Sequence, residues 1–213
     1  MTVVDSAVAG SVLTTSHVPR LHVIADCVTL ADAAFRGGAP SVQVRIKGSS
    51  DARVLAECER IVAAAHQAQA VVIVNDRADI ALAADAHGVH GGEDDLPVSV
   101  LRRVLGSNRL VGATARDPDT ALRHQADGAS YVGVGPVYAT ATKDGLPEPL
   151  GPAGVERVAA LVDIPVIAIA GVTASRVPEL LDAGAHGVAV IGAVAHAPDP
   201  VAATAELLEA LGG

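Results

Sequence analysis

Apolar and polar positions alternate in blocks along the chain, because short aliphatic runs are separated by Ala-rich segments with a helical pattern. The aliphatic runs predict eight strands, at Leu21–Ala25, Ser41–Arg45, Val71–Val74, Gly88–His90, Leu110–Ala113, Tyr131–Val134, Val166–Ala170 and Gly187–Ile191. The Ala-rich segments predict eight helices, at Val28–Arg36, Asp51–Gln67, Arg77–Ala84, Pro97–Leu105, Pro118–Gln125, Pro152–Leu161, Ala174–Leu181 and Pro200–Leu211. The chain therefore consists of eight β-α units in succession, with few residues left over.

An alternation of strands and helices predicts a parallel sheet with crossover helices. Eight units favour a compact single-domain α/β fold, the (β/α)₈ TIM barrel, whose chemistry lies at the C-terminal ends of the strands. We predict a flexible tail over residues 1–19 and the barrel over residues 20–213. A doubly wound open sheet is the alternative, but the Gly-rich dinucleotide fingerprint after the first strand is missing.

The second predicted strand has an unusual polar face. In the stretch Ser41–Ser50, alternate positions place Gln43, Arg45 and Lys47 on one side and aliphatic residues on the other. Strands of a parallel sheet are normally apolar on both faces. This strand either opens at its C-terminal end into an anion site or is an edge strand with a wet face.

Composition and charge limit the classes of partner. Half of the residues are hydrophobic, enough for a sizeable core, and no apolar run reaches the roughly 18 residues that span a bilayer. A net charge of −9 argues against nucleic acid or an anionic membrane as the main partner. The two cysteines, Cys27 and Cys58, show no metal or disulfide spacing, which favours a reducing, cytoplasmic location.

Acidic and basic residues follow several predicted strands. Asp76 and the Glu93–Asp95 cluster follow strands three and four, and such hard oxygen ligands suit Mg²⁺. Arg45, Lys47 and Lys143 would supply positive charge for a diphosphate. The alternative is that the acidic loop is merely solvated and that Asp76 caps the next helix.

Glycines end the last two strands. Gly171 and Gly192 lie where loops of this fold often hold a phosphate through backbone N–H groups, although glycines there also serve tight turns. Together with the acidic and basic residues, they predict one diphosphate site with metal and one monophosphate site at the same barrel mouth. That pair suits a transferase that joins a diphosphate-bearing electrophile to a phosphorylated nucleophile.

From about Leu21 to the C-terminus the chain resembles the thiamine phosphate synthase family. The matching motifs are Gln43-x-Arg45-x-Lys47, Val74-Asn75-Asp76-Arg77-Ala78-Asp79, Gly88-Val89-His90 with Glu93-Asp94-Asp95-Leu96-Pro97, Gly133-Val134-Gly135-Pro136-Val137-Tyr138-Ala139-Thr140-Ala141-Thr142-Lys143, Ile164–Thr173 and Gly187–Ile191. The resemblance implies coupling of hydroxymethylpyrimidine diphosphate to hydroxyethylthiazole phosphate, which gives thiamine phosphate and diphosphate.

The resemblance also implies roles for individual residues. Those at the pyrimidine diphosphate are Asp76 and Asp95 as Mg²⁺ ligands, Gln43 on the aminopyrimidine, and Arg45, Lys47, Asn75, Thr114 and Lys143 on the diphosphate. Those at the thiazole phosphate are Thr140, Thr142 and the backbone of Gly171, Ile191 and Gly192. Arg45, Lys47 and Lys143 are the catalytic candidates, because a dissociative mechanism needs the departing diphosphate to be stabilised. No general base is required, since a neutral thiazole nitrogen has no proton to lose.

The chain departs from the family pattern near the substrates. A Gln-Glu pair of the family is Glu93-Asp94 here, which adds negative charge beside the diphosphate and puts substrate affinity in doubt. Three further departures are Thr114 for a serine, Ala170 for a glycine and Gly192 for a residue that is commonly serine.

Two rival functions stay open. A thiazole tautomerase on the same barrel would lack the paired carboxylates and use a histidine after strand five, where this chain has Arg116. A non-catalytic phosphate-binding barrel that senses a ligand is the other. His90 at the mouth is interpreted as structural. The sequence does not fix the oligomeric state, and a homodimer is one option.

Overall fold

A computed structural model describes residues 18–140, 145 and 147–212. The predicted tail therefore lies outside the described residues, apart from Val18 and Pro19. Val18 is buried in the floor of the barrel, and its carbonyl oxygen lies 2.9 Å from Nε2 of His186.

Eight parallel strands form a closed barrel in sequence order, as predicted. The strands are β1 Leu21–Ala25, β2 Ser41–Val44, β3 Val71–Asn75, β4 Gly88–Gly91, β5 Leu110–Ala115, β6 Tyr131–Val134, β7 Val166–Ile169 and β8 Gly187–Val190. Each strand pairs with its neighbours in the chain, and β8 pairs with β1. A closed barrel has no edge strand, so the wet-edge interpretation of β2 is wrong.

Helices follow every strand within the described residues. They are α1 Val28–Arg36, α2 Asp51–Ala68, α3 Ala78–Ala83, α4 Val98–Leu105, α5 Pro118–Ala126, α6 Gly151–Ala159, α7 Val177–Asp182, α8 Gly192–Ala195 and α9 Pro200–Ala210. A 3₁₀ turn, Ala174–Arg176, precedes α7, and the short α8 was not predicted. None of the helices in this described part of the chain is long and apolar enough to cross a membrane.

The core has two layers that follow the alternation of the strands. Outward-facing residues such as Val42 and Val44 pack with the helices in one large apolar cluster. Inward-facing residues fill the lower barrel and are Val18, Ile24, Ile73, Leu110, Tyr131, Ile167 and Ala189. Polar His22, Ser41 and Gln43 are also buried there. The polar face of β2 thus points into the barrel and leads upward to its mouth.

Candidate active site

A cavity of about 770 Å³ lies at the C-terminal ends of the strands. It brings together the predicted site residues Gln43, Arg45, Lys47, Asn75, Asp76, Asp95, Thr114, Thr140, Gly171, Ile191 and Gly192. Two further candidates, Thr142 and Lys143, lie outside the described residues. Residues from distant parts of the sequence therefore meet at one mouth, which is where this fold carries its chemistry.

Asp76 follows β3 in a turn that aims its side chain into the cavity. Its φ of +65° lies in the left-handed region, where aspartate is tolerated better than most residues. The Asp76 N–H donates to the carbonyl of His90 at 2.8 Å, which fixes the turn against β4. Lys47 Nζ donates to Asp76 Oδ2 at 2.5 Å. Helix α3 begins after Arg77 without a side-chain cap, so the interpretation of Asp76 as a helix cap is wrong.

Asp95 faces Asp76 from the loop after β4. Its Oδ2 accepts a hydrogen bond of 2.7 Å from the Gly92 N–H, which orients the carboxyl. Burial, and then the neighbouring Asp76 carboxyl, raise the pKa of Asp95. Burial acts to raise the pKa of Asp76 too, but hydrogen bonds with Asp95 and Lys47 outweigh it and hold that pKa below its ordinary value. Each carboxyl therefore affects the ionisation of the other.

This acidic pair fits a hard divalent cation. A cation between two carboxylates would relieve the repulsion that raises the pKa of Asp95. Among residues 18–140, 145 and 147–212, no cluster of three or more His, Cys, Asp or Glu side chains could hold a metal ion. Two carboxylates suit Mg²⁺, which keeps several waters and shares its coordination with substrate phosphates.

Arg116 and Arg176 also line the cavity. The sequence analysis did not select these two arginines as ligands. Arg116 donates to the carbonyls of Glu148 and Gly135, at 3.0 and 3.4 Å. The position of Arg116 directly after β5 could have marked it as a site residue from the sequence alone. Arg176 donates to the Gly171 carbonyl at 2.6 Å, and its guanidinium lies 4.2 Å from the ring centre of Tyr138. It lies several residues beyond β7, so strand-end reasoning could not find it.

The backbone after β7 is tightly constrained. Ala170 and Gly171 both have positive φ, 79° and 68°. A Cβ atom on Gly171 would lie 2.7 Å from Cβ of Tyr138 and 2.8 Å from the Ala139 carbonyl oxygen. The loop after β6 therefore approaches Gly171 so closely that a residue with a side chain would not fit there. At the neighbouring strand, Gly192 begins α8, whose first N–H groups have no partner within the helix.

The inner wall of the cavity carries a histidine that the sequence analysis treated as structural. His90 Nδ1 lies 3.1 Å from the Tyr131 hydroxyl, and Nε2 lies 3.1 Å from Oγ1 of Thr114. Burial lowers the pKa of His90 to about 4, so this ring is neutral at neutral pH. It contacts one predicted substrate ligand, Thr114, directly.

Known proteins resemble this chain over nearly all of its length. A family model described as "Thiamine monophosphate synthase" matches residues 13–194. A protein of Salinispora tropica named thiamine-phosphate synthase is 49% identical over 205 residues, which cover 92% of this chain and 99% of that protein. A protein of Chlorobium luteolum with the same name is 41% identical over 196 residues, 90% of this chain and 92% of that protein.

Solved structures agree with the sequence comparisons. Thiamine phosphate pyrophosphorylase from Pyrococcus furiosus superposes with a TM-score of 0.84 at 33% identity, covering 91% of this chain and 95% of that one. A 3-hexulose-6-phosphate synthase, at 20% identity and a TM-score of 0.69, shares the fold alone and covers 90% of this chain and 99% of its own. The chain belongs to the thiamine monophosphate synthase family.

Proposed function

We propose that this chain couples hydroxymethylpyrimidine diphosphate to hydroxyethylthiazole phosphate, releasing diphosphate and forming thiamine phosphate. The observation that carries the proposal is the meeting of Asp76, Asp95, Lys47 and Arg45 at one cavity that also reaches the loops after β7 and β8. Family membership supports the same reaction. One mouth with room for two phosphorylated molecules is what a coupling reaction needs.

The first task of the site is to hold the diphosphate and stabilise it as it leaves. Arg45, Lys47, Asn75 and Thr114 line the cavity on one side and would donate to its oxygens. We assign Lys143 the same task from the family pattern. Asp76 and Asp95 would hold Mg²⁺, which supplies further positive charge to the leaving group when bound. Preorganised charge of this kind lowers the barrier of a dissociative step.

The second task is to align the nucleophile. Gly171, Ile191 and Gly192 border the other side of the cavity, where Thr140 also lies. These residues, with Thr142, would anchor the thiazole phosphate, so that the ring nitrogen faces the pyrimidine carbon. The arginines Arg116 and Arg176 add positive charge at the same cavity. No proton leaves the nitrogen, and the neutral His90 ring, engaged at both nitrogens, fits a site without a general base.

Diphosphate release tests the proposal directly. Purified protein is supplied with the pyrimidine diphosphate, with or without the thiazole phosphate and Mg²⁺, and diphosphate and thiamine phosphate are measured. We expect equal amounts of both products, and only when all components are present. Thiazole isomerisation without diphosphate release would favour a tautomerase. Tight binding of both substrates without turnover would favour a ligand sensor.

We also infer a cytoplasmic location and a homodimer. Both cysteines, Cys27 and Cys58, are free thiols, which supports a reducing compartment. Burial raises the pKa of Cys58 to about 11, so this thiol packs as a small apolar group. The homodimer stays a prediction that light scattering on the purified chain would test.

A further inference from the structure

We propose that a second cavity, beside the catalytic one, is a binding site for anions that carry a phosphate group. Arg53 of α2 and Arg45 after β2 are the residues that bind the anion, and an anion bound there weakens the binding of the pyrimidine diphosphate. The inference rests on the proposed function, because it assigns Arg45 to the diphosphate of the substrate.

The second cavity has a volume of about 700 Å³, which is in the range of sites that hold small molecules. It is bordered by the end of β1, the segment after β2, one face of α2 and helix α8. The two cavities share a wall, because both are lined by Ile24, Arg45, Lys47 and Ile191. Arg53 lines the second cavity and not the catalytic one.

Positive charge is concentrated in the second cavity although the chain as a whole is acidic. The net charge of the chain is −9, and it has 15 lysines and arginines. Four of these cations line the cavity together with two acidic residues: Arg45, Lys47, Arg53 and Arg60 with Asp26 and Glu57. Cations therefore outnumber acids here, whereas acids outnumber cations over the whole chain. A cavity with this balance of charge attracts anions.

The acidic residue on the same face of α2 as Arg53 is already engaged. Positions 53, 57 and 60 are neighbours on one face of a helix, because residues three and four apart lie side by side. Glu57 Oε1 accepts a hydrogen bond of 2.6 Å from the Val28 N–H, and Oε2 accepts one of 3.0 Å from Arg60. Glu57 therefore holds the start of α1 and balances Arg60, and both of its oxygens are in use.

Arg45 and Arg53 are left without an acidic partner. Asp51, two residues before Arg53, pairs instead with Arg77 at 2.7 Å. Within residues 18–140, 145 and 147–212, neither Arg45 nor Arg53 forms an ion pair or a side-chain hydrogen bond. Arg45 is also partly buried. A partly buried guanidinium without a partner gains from binding an anion, since its N–H groups are otherwise poorly satisfied.

The chemistry of the cavity favours a phosphate group. The planar guanidinium fork matches two oxygens of a phosphate, and the two arginines approach from different elements. Aliphatic side chains of Ile24, Leu30 and Ile46 also line the cavity. There is consequently room for the carbon skeleton of a phosphorylated small molecule, as well as for inorganic phosphate or diphosphate.

Arg45 couples the two cavities, because its single guanidinium serves both. An anion in the second cavity draws this guanidinium away from the diphosphate of the substrate. Linkage requires the opposite effect to be equal, so the bound substrate weakens the binding of the anion by the same factor. The expected result is inhibition that raises the KM for the pyrimidine diphosphate.

Arg53→Gln tests the inference in the turnover assay, with inorganic phosphate added at constant free Mg²⁺ and with potassium chloride of equal ionic strength as the blank. Without phosphate, the kcat and both KM values should equal those of the wild type. Phosphate should raise the KM for the pyrimidine diphosphate in the wild type, and the variant should need about tenfold more phosphate for the same increase. Arg53→Lys keeps the charge without the fork and should lie between the two.

The matched control is Arg36→Gln. Arg36 is an exposed arginine in the last turn of α1, so it lies at the opposite end of the barrel from the two cavities. Its response to phosphate should equal that of the wild type. The same phosphate dependence in Arg53→Gln and the wild type would overturn the inference, because phosphate would then act in the catalytic cavity alone.

A binding measurement separates this inference from the proposed function. Inorganic phosphate is titrated by calorimetry into the wild type, Arg53→Gln and Arg36→Gln, with the thiazole phosphate and Mg²⁺ present and no turnover. A loss of affinity of about tenfold in Arg53→Gln alone supports the site, and equal affinities overturn it. A larger loss for inorganic diphosphate would identify the product of the reaction as the anion. Absence of diphosphate release by the wild type would count against the proposed function only.

Discussion

Lys47 donates a hydrogen bond from Nζ to Oδ2 of Asp76 over 2.5 Å, which joins the segment after β2 to the tip of β3. The Lys47 side chain is 58% exposed, so this ion pair contributes little stability and exchanges easily for other partners. In the absence of substrate, Lys47 helps to keep Asp76 ionised. When the diphosphate binds, we expect the same ammonium to exchange Asp76 for a phosphate oxygen.

Asp76→Asn should lower turnover by about 100-fold or more, because it removes a negative oxygen ligand from the acidic pair. Asparagine also tolerates the left-handed backbone that Asp76 adopts, so the turn and the fold should survive. Steady-state diphosphate release and the melting temperature are measured together. Asp119→Asn, an exposed carboxylate in the first turn of α5, is the control and should match the wild type. An unchanged Mg²⁺-dependent rate in Asp76→Asn would refute the assigned role.

Arg176→Gln should raise the KM for the thiazole phosphate by about tenfold and leave the KM for the pyrimidine diphosphate unchanged. Arg176 lines the cavity beside Gly171, on the side assigned to the thiazole phosphate, whereas Arg45 and Lys47 lie on the other. Arg157→Gln, an exposed arginine on α6, is the matched control. Equal increases in both KM values would mean that Arg176 acts on the whole mouth and not on one substrate.

The pattern of apolar residues was sufficient to predict the eight strands and eight of the nine helices in the described part of the chain; it missed the short α8. The strands Leu21–Ala25 and Tyr131–Val134 agree with the prediction to the residue, since each is a short apolar run that must be buried on both faces. The prediction for the polar face of β2 was incomplete. The stretch Ser41–Ser50 by itself cannot tell an edge strand from a strand of a closed barrel, because closure depends on pairing between β8 and β1.

The contents of the barrel interior could not be predicted in the same way. Tyr131 and His90 are 41 positions apart in the chain, and they meet only because Gly112 leaves a gap between them. That contact depends on the register between β4, β5 and β6. The spacing of residues within one segment of the sequence does not determine this register. Strand-end residues such as Asp76 were accessible to sequence reasoning, because the C-terminal ends of all parallel strands open on the same face.

Lys143→Ala should reduce turnover by orders of magnitude while leaving the melting temperature unchanged. The expectation follows from the family pattern, in which this lysine would bind the departing diphosphate, and Lys143 itself lies outside the described residues. The rate is measured at saturating concentrations of both substrates, so that a defect in the chemical step is separated from weaker binding. A normal rate that requires only more substrate would make Lys143 a binding residue and not a catalytic one.

His22 should make the protein less stable in mild acid. Burial lowers its pKa from 6.5 to about 4, and the ring is held by the Pro19 carbonyl, 2.9 Å from Nε2, and by Tyr131, with ring centres 5.1 Å apart. As the pH falls below 6.5, His22 binds a proton in the unfolded chain but stays neutral in the folded chain. The free energy of unfolding therefore declines until about pH 4, by up to about 3 kcal/mol for this residue.

His22→Phe tests this expectation, because the phenyl ring keeps most of the packing but cannot titrate. The variant loses the hydrogen bond to the Pro19 carbonyl, so it should be less stable than the wild type at pH 7. Its free energy of unfolding, from urea titrations at several pH values, should fall less steeply between pH 6.5 and 4, so that the gap narrows or reverses. His90 contributes to the remaining slope, since burial lowers its pKa to about 4 as well. Parallel curves for the two proteins would show that His22 does not resist protonation in the folded state.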